Sequence, residues 1–229
     1  VSCLVVSADI PSGMNADTGE AAGGVVQADF TVTMGFPKVG MAAVAAREAL
    51  GSLSLAEIGL PANFAESIAE ANPDLQWISG PDVRQILPRR RRASHKGHYG
   101  RTQLLGGSAQ YPGAIVLAAQ GALRSGAGLV QVAASAAAAA AVAVRAPEAI
   151  IRADLSADLP LEGMASILAG PGLGRDPEAR RLVARLLQET PCPLVLDADA
   201  IALLEDKPET IRPCTQPVIL TPHPGELAM

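Results

Sequence analysis

Short aliphatic runs recur along this chain with alanine-rich stretches between them, and that alternation restricts the fold more than any other feature. FTVTM (30–34), TQLL (102–105), LVQVAA (129–134), SILA (166–169), PLVL opening 193–200 and PVIL opening 217–226 are each too short for a helix and too apolar for a loop. Strands that alternate with helical segments form βαβ units, and βαβ units form parallel sheets flanked by helices. The expected fold class is therefore α/β, as two three-layer α/β/α units. Several of these runs end in Gly, Pro, Asp, Ser or His. Such residues turn the chain sharply and face ligands, and open parallel sheets bind ligands at the carboxyl ends of their strands.

The first such end is the sharpest. Cys3-Leu4-Val5-Val6 reads as a strand buried on both faces, and the chain then runs into Asp9-Ile10-Pro11-Ser12-Gly13. Asp9 is either a turn-former or a ligand group. The rhythm breaks between Ala62 and Ser94, a stretch with several prolines, the single Trp and the run Arg89–Arg92. This stretch reads as a boundary between two α/β units, with GPDVRQIL as a short helix and the arginines as a solvated face. Boundaries follow at 1–74 for the first unit, 75–94 for the linking segment and 95–229 for the second.

Composition removes several function classes. A net charge of −5 argues against a nucleic-acid footprint. Cys3, Cys192 and Cys214 have no paired spacing, so they read as reduced thiols of a cytoplasmic protein. Apolar stretches are broken by Gly or charge before membrane-spanning length. With 49% hydrophobic but 3% aromatic residues, the core must be aliphatic and alanine-rich. The chain opens inside a strand and closes after a loop, which reads as a piece of a longer protein.

Four motifs carry chemistry. After TQLL comes Gly106-Gly107-Ser108 and a helix opening near Pro112-Gly113, an arrangement that offers backbone N–H groups to an anion. The plain alternative is a tight βα turn, and on pattern alone the two are evenly matched. The glycines of Gly170-Pro171-Gly172-Leu173-Gly174 permit close approach of backbone to a ligand, or simply make a turn. In LDADA, one of Asp197 and Asp199 is expected to cap a helix over 200–204. In TPHPGE, Pro222 and Pro224 hold His223 rigidly at a strand end, which suits hydrogen bonding to a substrate amide or hydroxyl. His95 and His98 read as structural.

In this order, KGHYG, GGSAQYPGA, ALRSGAGLV, GPGLG, LDADA and TPHPGE resemble the ADP/ATP-dependent NAD(P)H-hydrate dehydratase family over roughly residues 80–229. VSADIPSGMNADTGE, ADFTVTMGFPKVG and GLP resemble the last part of the NAD(P)H-hydrate epimerase domain. Together they are similar to the bifunctional nicotinamide-nucleotide repair enzymes of bacteria. The resemblance implies a partial Rossmann-like first unit and a partial ribokinase-like second unit.

It also implies a chemistry. Hydrated NADH or NADPH (NADHX, NADPHX) carries a hydroxyl at C6 of the nicotinamide ring, in R and S forms. The epimerase interconverts the two, and the dehydratase phosphorylates the S hydroxyl and expels phosphate. By resemblance, Ala114, Gly172 and His223 contact the hydrated dinucleotide, and Asp9 is a catalytic and binding residue of the epimerase. Ser12 helps bind K+, Mg2+ serves the dehydratase, ADP or ATP is the co-substrate, and a homo-oligomer is expected. The dehydratase's glycine-rich turn with its catalytic Asp, and its adenine-nucleotide segment, are expected beyond residue 229. The epimerase's substrate loop is expected before residue 1, so this segment alone should be inactive. The rivals are a ribokinase-like small-molecule kinase and a non-catalytic nucleotide-binding remnant.

Overall fold

The computed structural model describes residues 3–21, 23–61, 63–71, 78, 80–87, 89–204, 211 and 214–228. It separates into two units, Val1–Arg89 and Arg90–Met229. Part of the 75–94 segment lies outside the described residues.

In the first unit, β1 (Val6–Ala8), β2 (Phe30–Met34) and β3 (Ser52–Ala56) form a parallel sheet in the order β1-β2-β3. The register sets Ser7 opposite Thr31, and Thr31 opposite Leu53. One face packs on two 3-10 turns, Val39–Ala42 and Val44–Ala46, and on α1 (Arg47–Leu50). The core there is Met14, Met41, Ala46 and Leu50. The polar Thr31 is tolerated at its buried position because its hydroxyl donates to the Leu50 carbonyl at 2.7 Å. Helices α2 (Asn63–Ala71) and α3 (Gly80–Ile86) complete the unit, the second where GPDVRQIL predicted one.

The opening strand differs from its sequence expectation. It begins at Val6, three residues later than Cys3, and only Ser7 is buried within it. Val6, Phe30 and Met34 are exposed on the other face of the sheet, so β1 is covered on one side. β3 escaped the sequence reading because Ser-Leu-Ser-Leu-Ala carries too little apolar character to stand out.

The second unit contains β4 (Arg101–Leu105), α4 (Pro112–Ser125), β5 (Leu129–Ala133), α5 (Ala136–Arg145), β6 (Ile150–Arg152), β7 (Ser166–Ala169), α6 (Pro177–Glu189), β8 (Leu194–Leu196), α7 (Asp199–Ala202), β9 (Val218–Leu220) and α8 (Pro224–Leu227). Its strands make a parallel six-stranded sheet in the order β6-β5-β4-β7-β8-β9. The chain starts in the middle at β4, winds outward to β6, and then returns beside β4 as β7. The strand order therefore reverses between β4 and β7, and the carboxyl end of that pair is where doubly wound sheets open a crevice.

Successive residues of each strand feed opposite cores. Leu104, Val130 and Val132 pack with Ile115, Ala138 and Val142 of α4 and α5. Leu105, Ile167, Leu194 and Leu196 pack with Leu182 and Leu186 of α6 on the other face. Each such leucine contributes about 1.5–3 kcal/mol by leaving water. The alanine run 136–141 is a crossover helix, started by Ser135, whose hydroxyl accepts from the Ala138 N–H. Ala138 and Ala139 are small and buried, so α5 lies close against its neighbours. Helix α4 ends at Gly126, which takes the left-handed conformation (φ 99°) that glycine allows without penalty.

Arg90 is exposed, as expected of the arginine run, yet it is tied down. Its guanidinium lies 4.5 Å from the centre of the Tyr99 ring and donates to the Gly126 carbonyl.

Candidate functional site

In the first unit, Asp9 follows β1 directly, and its backbone N–H donates to the Val32 carbonyl at 2.9 Å as the ladder ends. Its φ is +69°, a left-handed conformation that Asp visits more readily than most residues but seldom without reason. That turn swings the carboxyl over the end of β2. There Oδ1 accepts from the Met34 N–H at 3.1 Å, the Thr33 hydroxyl at 3.2 Å and the Lys38 ammonium. Among the described residues Oδ2 takes no bond, and 41% of the side chain is exposed. The hydrogen bond from Lys38, then that from the Met34 N–H, hold the carboxyl below its ordinary pKa against the opposing effect of burial.

Asp9 thus acts as both a turn residue and an ionised group aimed outward. Ser12 lies three residues further on and is exposed. The turn around it is tight: Gly13 has φ +93°, and a Cβ there would stand 2.0 Å from the Gly24 carbonyl oxygen.

In the second unit, the loops after β4 and β7 meet at the reversal point. Their backbones are joined by hydrogen bonds from Gly107 N–H to Pro171 O at 2.9 Å and from Ser108 N–H to Gly172 O. Gly106 N–H donates to Ala133 O at 3.2 Å. Of the two evenly matched readings, the Gly-Gly-Ser segment itself behaves as a tight βα turn, since neighbouring strands and loops use all three N–H groups. The free donors sit slightly further on. The first turn of α4 has no side-chain cap, and among the described residues the Gly172 N–H is unpaired.

The structure brings Ala114 and Gly172 together. Gly172 has φ +62°, and a Cβ on it would stand 2.5 Å from the Tyr111 carbonyl oxygen and 3.4 Å from the Ala114 Cβ. Only glycine fits there. His223 follows β9, two strands along from β7, about 10 Å across the sheet at about 4.8 Å per strand. Its Nδ1 accepts from the Gly225 and Glu226 N–H groups at 3.0 and 3.3 Å, which puts the ring proton on Nε2. Glu226 Oε2 accepts from the His223 N–H at 2.9 Å, closing a capping box.

Neither Asp197 nor Asp199 caps α7. The cap position is Ala198 at φ +47°, with no side-chain cap bond. Asp197 accepts from the Thr221 hydroxyl at 2.7 Å, while Asp199 accepts from the Gly174 N–H at 2.9 Å and pairs with Arg175 at 3.1 Å. Both carboxylates fasten loops at the carboxyl edge of the sheet, which the strand pattern alone did not reveal. His95 accepts from the Gly97 N–H at 3.2 Å and stacks on His98 with ring centres 3.8 Å apart.

A cavity of about 300 Å³ opens beside the reversal point, with Ser108, Gln110, Ser135, Leu173, Asp176 and Glu178 among its walls. The Ser108 hydroxyl is buried and has no hydrogen-bond partner among the described residues. In the sequence its place within a glycine turn conceals it.

A parallel sheet with a cavity beside its reversal point is an architecture in which doubly wound α/β proteins bind small molecules. Residues 102–229 match the NAD(P)H-hydrate dehydratase family, and residues 2–40 match the family described as YjeF-related protein N-terminus. The first match spans more than half of the sequence, and the chain belongs to the NAD(P)H-hydrate dehydratase family.

The chain is 37% identical over 236 residues to the bifunctional NAD(P)H-hydrate repair enzyme Nnr of Moorella thermoacetica, covering 97% of this chain and 44% of that protein. It is 38% identical over 225 residues to the protein of that name from Coxiella burnetii, again with 97% and 44% covered. The chain thus spans less than half the length of these curated relatives. Among solved structures it resembles the ADP/ATP-dependent NAD(P)H-hydrate dehydratase of Bacillus subtilis, co-crystallised with ATP and Mg2+. That match has a TM-score of 0.58 and 35% identity, covering 67% of this chain and 55% of that one. A ribokinase-like superfamily protein of Enterococcus faecalis matches with a TM-score of 0.58 and 29% identity, covering 65% of this chain and 54% of that one.

Proposed function

We propose that this chain serves nicotinamide-nucleotide repair: nucleotide-dependent dehydration of (6S)-NAD(P)HX by a domain over residues 95–229, and epimerisation of (6R)- to (6S)-NAD(P)HX by a domain over residues 1–74. The observation that carries it is the junction of Gly172 with Ala114 and Tyr111 at the reversal point of the second sheet. There an unpaired N–H and an uncapped helix start lie within a chain of this family.

Dehydration removes hydroxide from C6 and a proton from the neighbouring ring carbon. Hydroxide leaves poorly, so transfer of a phosphoryl group from ADP or ATP to the C6 oxygen comes first, and phosphate then departs as the C–O bond breaks. The part of this unit is to bind and orient. The free N–H groups suit carbonyl or phosphate oxygens of the dinucleotide, and the Nε2–H of His223, which lies 3.3 Å from Glu226 Oε1, suits an amide or hydroxyl oxygen that replaces that carboxylate. In the first unit, an ionised Asp9 with a free Oδ2 can take a proton from the C6 hydroxyl.

Potassium would draw on the Ser12 hydroxyl, and Mg2+ would accompany the nucleotide phosphates. Among the described residues no three His, Cys, Asp or Glu side chains converge on a metal. A cytoplasmic site of action and a homo-oligomer belong to the same reading. Among the described residues, no helix is long and apolar enough to cross a membrane.

The test uses protein expressed from the complete reading frame that encodes this segment. Return of dihydronicotinamide absorbance is followed from (6S)-NADHX with ADP or ATP and Mg2+. Recovery that His223→Ala weakens supports the reading. No recovery, with phosphorylation of another small alcohol, replaces it with the kinase. No turnover of any substrate, with nucleotide still bound, favours the non-catalytic remnant.

A further inference from the structure

Strands β1 and β2 are parallel neighbours, so the turns that follow them emerge at the same end of the sheet. One turn carries Asp9 and the other carries Lys38. The second turn is shaped to bring its lysine back. Gly35 has φ +72° and its N–H donates to the Ala56 carbonyl at 2.9 Å, and Pro37 then stiffens the approach. The Lys38 ammonium is gathered by four acceptors: Asp9 Oδ1, Thr33 Oγ1 at 3.1 Å, the Met34 carbonyl at 3.1 Å and the Phe36 carbonyl at 3.2 Å. Its side chain is only 25% exposed. A surface lysine whose ammonium is held by four protein oxygens has exchanged its mobility in water for one fixed place.

We propose that Lys38 is a positioning residue for the reaction at Asp9: with Thr33 and the Met34 N–H it occupies Oδ1, fixing the carboxylate plane so that Oδ2 alone faces the substrate hydroxyl. This inference rests on the epimerase reading of the first unit and deepens it. The division of labour follows from geometry, because three donors converge on one oxygen and none reaches the other. A carboxylate tethered at one oxygen cannot rotate its free oxygen away from the ligand, which is the orientation that proton transfer requires. Among the described residues, Lys38 is the charge that acts on Asp9, so it also keeps the group ionised to a lower pH than an ordinary carboxyl.

The test compares wild type, Lys38→Met and Lys38→Arg in protein from the complete reading frame, with two independent readouts. The first is the rate of exchange between (6R)- and (6S)-NADHX without nucleotide. The second is the titration of the Asp9 carboxyl carbon by 13C NMR, which needs no substrate. The expected result for Lys38→Met is a loss of about 10²-fold in kcat, with KM within about twofold and a melting temperature only slightly lowered. Its Asp9 midpoint moves up, and Lys38→Arg recovers at least about tenfold of the rate.

Exchange by Lys38→Met within about threefold of wild type would overturn the proposal. So would equal losses in kcat and melting temperature that Lys38→Arg does not relieve, since those mark a purely structural lysine. If wild type exchanges nothing while the Asp9 midpoint still moves in Lys38→Met, the epimerase reading fails, and the lysine's hold on Asp9 stands as a feature of the fold alone.

Discussion

In the first unit the covered face of the sheet is polar: Ser7, Thr31 and Thr33 are buried, and the apolar cluster behind them is small. In the second unit both faces are aliphatic, with leucine, isoleucine and valine from consecutive strand positions feeding separate cores. The two candidate sites differ in the same sense. The first is made of side chains, with Asp9, Thr33 and Lys38 bonded to one another across two turns. The second is made largely of backbone, with two glycine loops joined together and donors left at Gly172 and the start of α4. A polar inner face can supply charged groups and hold them, at a cost in apolar burial. An aliphatic double core can hold bare backbone rigid enough to act as a ligand surface.

Core truncation separates the units most strongly. Leu194→Ala, at a fully buried position of β8, should destabilise the second unit by about 2–5 kcal/mol. Thr31→Val in the first unit leaves the Leu50 carbonyl without its donor and should cost about 1–3 kcal/mol. Urea unfolding followed by separate probes in each unit measures both. Equal costs would erase the contrast between the cores.

Next in size is Gly172→Ala. The positive φ, and a Cβ 2.5 Å from a backbone oxygen, force the loop to move, at about 1–3 kcal/mol. The backbone account predicts a higher KM for (6S)-NADHX, with the first unit's epimerisation unaffected. Steady-state kinetics on each half-reaction checks it.

The smallest effect is on pH dependence. The folded Asp9 pKa lies below its ordinary value of 3.8, so near that pH the unfolded chain binds more protons. Its contribution to stability is therefore present above the ordinary value and lost as pH falls through the folded one. Lys38→Met should flatten that acid limb of first-unit stability. An unchanged acid limb would mean that Lys38 does not set the carboxyl's state.

The sequence made the strands of the second unit legible wherever aliphatic runs met glycine turns, as at Thr102–Leu105 and Ser166–Ala169. It concealed β6, whose Ile150–Arg152 is three residues long at the sheet edge. Motif order singled out Asp9, Ala114, Gly172 and His223, and the structure places Gly172 beside Ala114. Lys38 was missed because its partner lies 29 residues away and only parallel pairing brings the two turns together. The signal was present in Gly-Phe-Pro-Lys, a rigid turn placing a cation just after a strand. Asp197 and Asp199 were misread for the opposite reason: an Asp before a helix suggests a cap, yet Thr221 and Arg175 from later or earlier loops claim them.

Two chemistries divided between two units would respond differently to the two epimers. The direct measurement supplies (6R)-NADHX or (6S)-NADHX separately, with ADP or ATP, to protein from the complete reading frame, comparing wild type with Asp9→Asn and His223→Ala. The account predicts that Asp9→Asn slows NADH formation from the R form by about 10²–10⁴-fold while leaving the S form nearly untouched, and that His223→Ala slows both. Equal effects of Asp9→Asn on the two epimers, or none on either, would contradict it.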